Sequence, residues 1–388
     1  MKRFDVAVVG AGPAGSSTAI SLASKGHSVI VFDKHLFPRE KLCGDFLSPL
    51  TRPLLERLGV MEEILTLKPH VVTAFRISSP SGTAVTCPFP SRMGQPLFGL
   101  GLRRLHLDDI LLRRAAKEGA VIRTGCRVGA IEREEDGWRI TVQSPTSEER
   151  WRAALLVGAD GRNSWVAHRL GLNDRLEKSG AAVALQLHLQ GAKGIGNEVQ
   201  IHLFPGGYAG LVNLGGGITN LCLATERAQL KKSNSVDALF GDCLYRNPNL
   251  REALEQTEIV GSVRSAYPVY FSPRRSYGSG FLLVGDAARV TEPVTGEGVY
   301  FALKAGELAA EAASLAFSRG DLSARQLSAY DRECRKAFSR RLRMNRGIRV
   351  LIYRPSLLTA LIRLSSMTSV PIGPLVNYVC HTEALLQR

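Results

Sequence analysis

The sequence predicts an α/β protein: a Rossmann-type nucleotide-binding domain, interrupted by a mainly antiparallel β-sheet domain and followed by a helical extension. Three observations predict it. An apolar run, Phe4 to Val9, leads through Gly10-Ala11-Gly12-Pro13-Ala14-Gly15 into a helical stretch. Glycine-broken β-like runs occupy residues 180 to 224. From Gly296 onwards the pattern is helical again.

Residues 4 to 33 form a strand, tight turn, helix and strand in turn: Phe4 to Val9, the glycine turn, Ser16 to Lys25, and Ser28 to Phe32. Glycine is needed at 10, 12 and 15 because the chain bends sharply, approaches a pyrophosphate too closely for a Cβ, and then packs helix on strand. The helix N-terminus offers free N–H groups to phosphate. Asp33 ends the second strand, where a carboxylate can accept both ribose hydroxyls of an adenosine. The alternative is a glycine-rich turn followed by a surface aspartate.

An amphipathic helix runs from Leu102 to Ala116, entered through Arg103-Arg104. Strands follow at Val121 to Arg127, Val128 to Arg133, Trp138 to Gln143 and Ala154 to Val157, with a turn at Asp136-Gly137. Gly158-Ala159-Asp160-Gly161 precedes a helix, Asn163 to Leu170. Gly206-Gly207 and Gly215-Gly216-Gly217 divide the second sheet into strands. Phe281 to Val284 is a short buried strand running into Gly285-Asp286-Ala287-Ala288, and Pro293-Val294-Thr295-Gly296-Glu297-Gly298 opens a long helix, Gly296 to Phe317.

Composition narrows the class of function. Of 388 residues, 45% are hydrophobic and 22% charged, so the chain folds rather than staying disordered. Fifty Lys and Arg against 35 Asp and Glu give a formal +15, which favours anionic partners. Nucleic acid is not expected among them: zinc-finger spacing, an aromatic RNA-binding signature and a basic recognition helix are all missing. The seven cysteines, at 43, 87, 126, 222, 243, 334 and 380, show neither disulfide nor metal spacing, so no metal is expected. A charged strand at the N-terminus and the lack of an 18-residue apolar run imply a cytoplasmic protein that spans no membrane.

The four ordered motifs, at 10–15, 158–161, 285–288 and 293–298, resemble those of the p-hydroxybenzoate hydroxylase-like flavoproteins over about residues 4 to 320. That resemblance implies FAD as the bound nucleotide. It places Gly10, Gly12, Pro13, Ala14, Gly15, Asp33 and Lys34 at the adenosine and pyrophosphate. Arg104 falls near the pyrophosphate, and Asp286, after Gly285, at the ribityl chain. Pro293, Gly296, Gly298 and Val299 open a helix whose positive end faces the flavin pyrimidine and favours its reduction. Asp160 and Gly161 match a motif associated with FAD and the nicotinamide cofactor; the alternative is a plain turn capped by an aspartate. Val128 is also placed among the cofactor contacts. No second glycine fingerprint follows, so NAD(P)H is expected as a transient reductant, with Arg39 and Lys41 as phosphate contacts or simply solvated loop cations.

Phe37-Pro38-Arg39-Glu40-Lys41-Leu42-Cys43-Gly44 looks like the PxxKxCG stretch of the geranylgeranyl reductase branch, as do Glu297 and Arg289, where aromatic hydroxylases usually carry Gln and His. The branch's YxWxFP box would fall at Tyr208 to Asn213, where the tyrosine alone is kept. Cys43 and Tyr208 are the candidate catalytic residues. Cys43, with a thiol pKa of ~8.5 in water that only nearby cations such as Arg39 and Lys41 would lower, is either a proton donor or a small buried hydrophobe.

The resemblance implies the domains 1–70, 100–172 and 277–322 for FAD, 71–99 and 173–276 for a small hydrophobic substrate, and 323–388 as a C-terminal helical region. Because the lipid box is lost, the main expectation is NAD(P)H-dependent hydroxylation of an aromatic or polyketide-like compound. The alternatives are reduction of an alkene, with Cys43 protonating the neighbouring carbon, and a non-catalytic or electron-transfer flavoprotein. Eight cations between Arg335 and Arg354, with no acid among them, are followed by interrupted apolar residues, which suits either a peripheral contact with an anionic membrane or packing on the FAD domain. The oligomeric state is not legible.

Overall fold

The computed structural model describes residues 2–92, 94–144, 147–172, 182–227, 235–242, 244–269, 273–289, 295–352, 354–367 and 380. Strand Arg3–Val9 lies inside an eight-stranded sheet. It pairs in parallel with Val29–Phe32 on one side and Glu148–Gly158 on the other, so that Val9 lies level with Phe32 and Gly158. Val121–Arg123 extends the parallel set. Val6, Ala7 and Val8 are wholly buried, as expected of a parallel sheet covered on both faces.

Helix Pro13–Ala23 packs on helix Gly298–Ser318 closely enough for the Ser17 hydroxyl to donate to the carbonyl of Leu303 at 2.8 Å. Gly306 permits this approach, since a Cβ there would lie 2.7 Å from the carbonyl oxygen of Ala14.

Two strands differ from expectation for visible reasons. The expected strand Val121 to Arg127 ends at Arg123, because Gly125 turns at φ +67° and the Cys126 N–H leaves the edge to donate to Asp33 O at 3.0 Å. A new strand then starts at Arg127. Ala154 to Val157 grows to Glu148–Gly158, whose first half exposes Glu148, Arg150 and Arg152 and therefore hides from a search for apolar runs. That half pairs antiparallel with Gly137–Gln143, and the last residues pair in parallel with Phe281–Leu283.

The second sheet has seven strands, in the order Glu258–Ala266, Ala182–Gln190, Ile218–Glu226, Gly207–Asn213, Glu198–Phe204, Ala74–Ser78 and Ala84–Pro88. Every adjacent pair is antiparallel except Glu198–Phe204 with Ala74–Ser78. Along Ala182–Gln190 the two-residue period sorts the side chains. Leu185, Leu187 and Leu189 pack outwards with Leu239, Leu244 and Leu250. Ala182 and Ala184 face inwards to a cluster containing Phe46, Phe75 and Phe89.

Helix Ala324–Ile352 buries Leu327, Tyr330, Cys334, Phe338, Arg341, Asn345 and Ile352, one face at helical spacing. Leu327 to Phe338 join the core of the nucleotide-binding domain, whereas Ile352, with Met344 and Ile348, reaches the inner cluster of the second sheet. Its apolar face therefore packs against both domains. Among the described residues, no helix is long and apolar enough to cross a membrane.

Candidate functional site

The glycine turn does three different things. A Cβ at Gly10, which sits at φ +103°, would lie 2.4 Å from Ala159 O, and one at Gly15 would lie 1.9 Å from Gly10 O. Gly12 is different: a Cβ there would meet only the guanidinium ends of Arg39 and Arg104, at 3.8 and 3.9 Å. The first two glycines are demanded by the protein itself; the third borders a space lined by positive charge. Pro13 and Ala14 follow as buried residues of the first helical turn.

Both arginines are aimed from the side by Asp108, which is wholly buried. Its Oδ1 accepts Arg104 Nε at 2.7 Å, and its Oδ2 accepts Arg104 Nη2 at 2.8 Å and Arg39 Nη1 at 3.0 Å. Burial opposes the charge of Arg104, but the Asp108 carboxylate outweighs it and raises its pKa. Burial, reinforced by Arg104 and Arg39, presses the Lys41 amine below its usual range against the pull of Asp286. Arg39 Nε and Arg162 Nη1 are buried with no hydrogen-bond partner among the described residues. Such a collection of cations suits an anion, and a dinucleotide pyrophosphate fits beside Gly12.

The other expected contacts fall into two groups. Some carboxylates are engaged by the protein: Asp33 Oδ2 accepts the Ala11 N–H and Oδ1 the His35 N–H, each at 2.9 Å. Asp160 likewise accepts the Ser164 hydroxyl at 2.5 Å and the Val166 N–H at 3.0 Å, which braces the first turn of helix Trp165–Arg169; the cap itself is Ser164, whose Oγ accepts the Ala167 N–H at 3.0 Å, and burial raises the Asp160 pKa. Gly161 turns beside it at φ +84°. Asp286, by contrast, is 35% exposed with Arg162 Nη2 at 3.9 Å, which leaves oxygens for a hydroxylated chain. Gly285, at φ +57°, lies against Ala14, where a Cβ on it would come within 2.9 Å of the Ala14 Cβ. Lys34 is exposed, and Val128 is buried with Phe32. Gly296, at φ +69°, packs on Phe46, and the long helix begins at Gly298 and Val299 rather than at Gly296. Pro293 lies outside the described residues.

Behind this cradle, the loop carrying Cys43 and Gly44 is fastened to the second sheet. The Cys43 N–H donates to Gln186 Oε1 at 3.1 Å, and Asn220 Nδ2 donates to Cys43 O at 3.5 Å. Gln186 Nε2 donates to Asn220 Oδ1 at 2.8 Å and to Asp45 Oδ2 at 3.0 Å, and His188 Nε2 lies 2.7 Å from that same oxygen. Asp45 Oδ1 accepts the Arg104 N–H at 3.1 Å, which binds the loop to the helix Arg104–Lys117. Asp45 is 1% exposed, and burial raises its pKa although His188 draws it back. The expectation that cations lower the Cys43 thiol is corrected: burial pushes it up, and the opposing cation is Arg104, not Arg39 or Lys41. Tyr208 is buried on the inner face of the sheet in the cluster with Phe46 and Ala224. No group of acids, histidines and cysteines able to hold a metal occurs among the described residues.

An FAD-binding domain family model matches residues 3–193. Digeranylgeranylglycerophospholipid reductase of Methanosarcina acetivorans is 33% identical over 84% of this chain and 78% of its own length. This chain belongs to the geranylgeranyl reductase branch of the FAD-dependent oxidoreductases. Menaquinone reductase of Mycolicibacterium smegmatis is another relative, 31% identical over 80% of this chain and 76% of its own. A geranylgeranyl bacteriochlorophyll reductase-like structure from Thermoplasma acidophilum superposes with a TM-score of 0.83 at 21% identity, covering 99% of this chain and 97% of that one. The flavin-dependent halogenase CmlS shares the fold at a TM-score of 0.77 and 22% identity, over 87% of this chain and 63% of the halogenase.

For a reductase-branch chain, several residues at the site escape sequence reading. Asp108 carried a signal, four residues after Arg104 on one helix. So did Gln186 and His188, polar side chains alternating on an otherwise apolar strand. Arg341, 44 residues beyond its partner Glu297, carried none.

Proposed function

We propose that this FAD-dependent oxidoreductase reduces a carbon–carbon double bond of a hydrophobic, isoprenoid-bearing substrate. The observation that carries the proposal is the Cys43 thiol, kept protonated by burial, beside Arg104 and on a loop clamped to the sheet that carries Tyr208. The reductase relatives support this over hydroxylation, the main expectation from the motif order and the missing lipid box. Likeness to a halogenase at 22% identity speaks for fold alone.

Bound FAD supplies hydride chemistry. Arg39 and Arg104 would hold its pyrophosphate over Gly12, and Asp286 would take the ribityl hydroxyls. Cys43 Sγ holds the proton destined for the substrate carbon next to the one that takes the hydride. Burial keeps that proton in place at neutral pH, and the Arg104 guanidinium steadies the thiolate left when it departs. Gln186 and Asn220 fix the backbone that carries the thiol. NAD(P)H is the proposed reductant. Since Arg39 is committed to Asp108 and the pyrophosphate space, Lys41 is the cation assigned to the reductant's phosphate. The exposed side of helix Ala324–Ile352, with Arg343, Arg346 and Val350, is proposed to rest on an anionic membrane surface.

The test is a single turnover under nitrogen, with enzyme reduced chemically and offered a geranylgeranyl lipid. A saturated product is expected without oxygen, and Cys43→Ser should slow its formation about 10²–10⁴-fold while FAD stays bound. Product that forms only in air would restore the hydroxylase reading.

A further inference from the structure

We infer that Arg341 and Asn345, on the C-terminal helix, are positioning residues of the flavin site: they lock Glu297 and cancel its charge at the start of helix Gly298–Ser318. The inference rests on the assignment of FAD, not on the choice of substrate.

Glu297, Arg341 and Asn345 are 1%, 2% and 0% exposed. Arg341 Nη1 donates to Glu297 Oε1 at 2.6 Å. Glu297 Oε2 accepts Asn345 Nδ2 at 2.8 Å and the Thr295 hydroxyl at 2.7 Å, and Asn345 Nδ2 also lies 3.0 Å from Thr295 Oγ1. The Arg341 guanidinium in addition stands over the Tyr300 ring, 5.5 Å from its centroid. The Glu297 carboxylate thus receives three hydrogen bonds, from Arg341, Asn345 and Thr295, and one opposing charge, from Arg341.

Its location gives the knot its meaning. Gly296, one residue before Glu297, lies against Phe46, which follows Cys43 by three positions and opens the short strand Phe46–Leu47. Four residues beyond Gly298, Ala302 packs beside Gly285 and Ala14 of the cofactor turn. The start of the long helix and the residues just before it therefore border both the Cys43 segment and the cofactor turn. Glu297 occupies the cap position of that helix, yet its side chain makes no cap hydrogen bond there, having been drawn away to Arg341. The first N–H groups of the helix are left to favour negative charge, which is what a flavin gains on reduction.

A carboxylate buried next to that position would oppose the same charge unless a cation cancels it, and an uncancelled buried charge is strongly unfavourable. Arg341 supplies the cancellation from a separate element, and that element also lends Met344, Ile348 and Ile352 to the apolar cluster of the second sheet. One helix thus bears on the flavin's charge and on the apolar wall opposite.

The readout is the midpoint potential of bound flavin by dye-coupled anaerobic titration, together with the FAD dissociation constant by flavin fluorescence quenching. Arg341→Met leaves the carboxylate alone: the potential should fall and FAD bind about tenfold more weakly. Glu297→Gln removes the negative charge and keeps the positive one, and the potential should rise. The pair of substitutions together should return it towards that of the native protein. If the variants melt at lower temperature yet keep the native potential and FAD affinity, the knot is a fold clamp and the inference is overturned. Should Arg341→Met not fold, an unmoved potential in Glu297→Gln overturns it alone. A native protein that takes up no FAD would instead refute the cofactor assignment, a distinct result.

Discussion

The glycine turn at 10–15 and the seam behind Cys43 border the same site but are built by opposite means. The turn is held rigid by backbone contacts, with Ala159 O at Gly10 and with Gly10 O at Gly15, that leave no room for a Cβ. Its neighbouring cations are left short of partners, with Arg39 Nε and Arg162 Nη1 unsatisfied by the described residues. The seam is non-local, joining Cys43 and Asp45 to Gln186, His188 and Asn220 from another domain, with each carboxylate oxygen of Asp45 bonded. The difference teaches how each region responds to a ligand. A rigid turn can hold unsatisfied charge in readiness for an anion, whereas a seam that positions a thiol must be complete beforehand.

Substitution at two neighbouring glycines should separate these principles most strongly. Gly15→Ala drives a Cβ to 1.9 Å from Gly10 O, so the domain should lose ~3 kcal/mol or more and little folded protein should be recovered. Gly12→Val meets only guanidinium ends at 3.8 and 3.9 Å, so the apoprotein should melt as the native apoprotein does. FAD binding should nevertheless fall about 100-fold or more, because the valine fills the space beside the arginines. A Gly12→Val protein that retains FAD would break the account of the cradle.

The seam answers to pH. Burial raises the Asp45 pKa, so its folded form holds a proton that the unfolded chain releases near pH ~4. The stability linked to that proton is full below the unfolded value and lost as pH rises through the folded one. Asp45→Asn cannot show this loss. The stability advantage of the native protein over Asp45→Asn, read from denaturant unfolding, should therefore be largest in acid and shrink towards neutrality, spanning ~1–3 kcal/mol. A constant difference from pH 4 to 8 would mean that Asp45 stays ionised in the fold.

The parts of this site that sequence made legible are those whose partners lie nearby. Gly15 announces a sharp turn because its constraint, the Gly10 carbonyl, lies within the motif, whereas Gly10 itself answers to the distant Ala159; the parallel core strands show as unbroken apolar runs. Glu148–Arg152 escaped because an exposed strand edge carries charge at every second position. The thiol's shift was misjudged because counting cations along the loop cannot reveal burial, and because Arg104 arrives from a helix sixty residues away. Neither Asp45 to His188 nor Glu297 to Arg341 leaves a periodic trace, since each is a single contact between distant elements.

The smallest expected effect concerns the two faces of helix Ala324–Ile352. Its buried face is fixed by Tyr330, Phe338 and Arg341, and part of its exposed charge is answered within the helix, where Arg335 pairs with Asp331 and Lys336 with Glu333. Only the remaining outer cations are available to lipid, each contributing about 1 kcal/mol near an acidic leaflet. Co-sedimentation with anionic vesicles should therefore be modest at low salt, fall as salt rises, and weaken further in Arg343→Ala/Arg346→Ala. Equal partitioning onto neutral and anionic vesicles would remove the membrane contact.

The order of strands in the first sheet has a consequence for biosynthesis. Arg3–Val9 leaves the ribosome well before its neighbour Glu148–Gly158, which comes about 140 residues later, and Phe281–Leu283 later again. Helix Gly298–Ser318 and its lock at Arg341 are later still. At ~5–20 residues per second, the early apolar strands wait many seconds for their partners. A nascent chain therefore cannot gather the whole cradle until helix Ala324–Ile352 has emerged, so cofactor capture must follow the synthesis of every one of these elements.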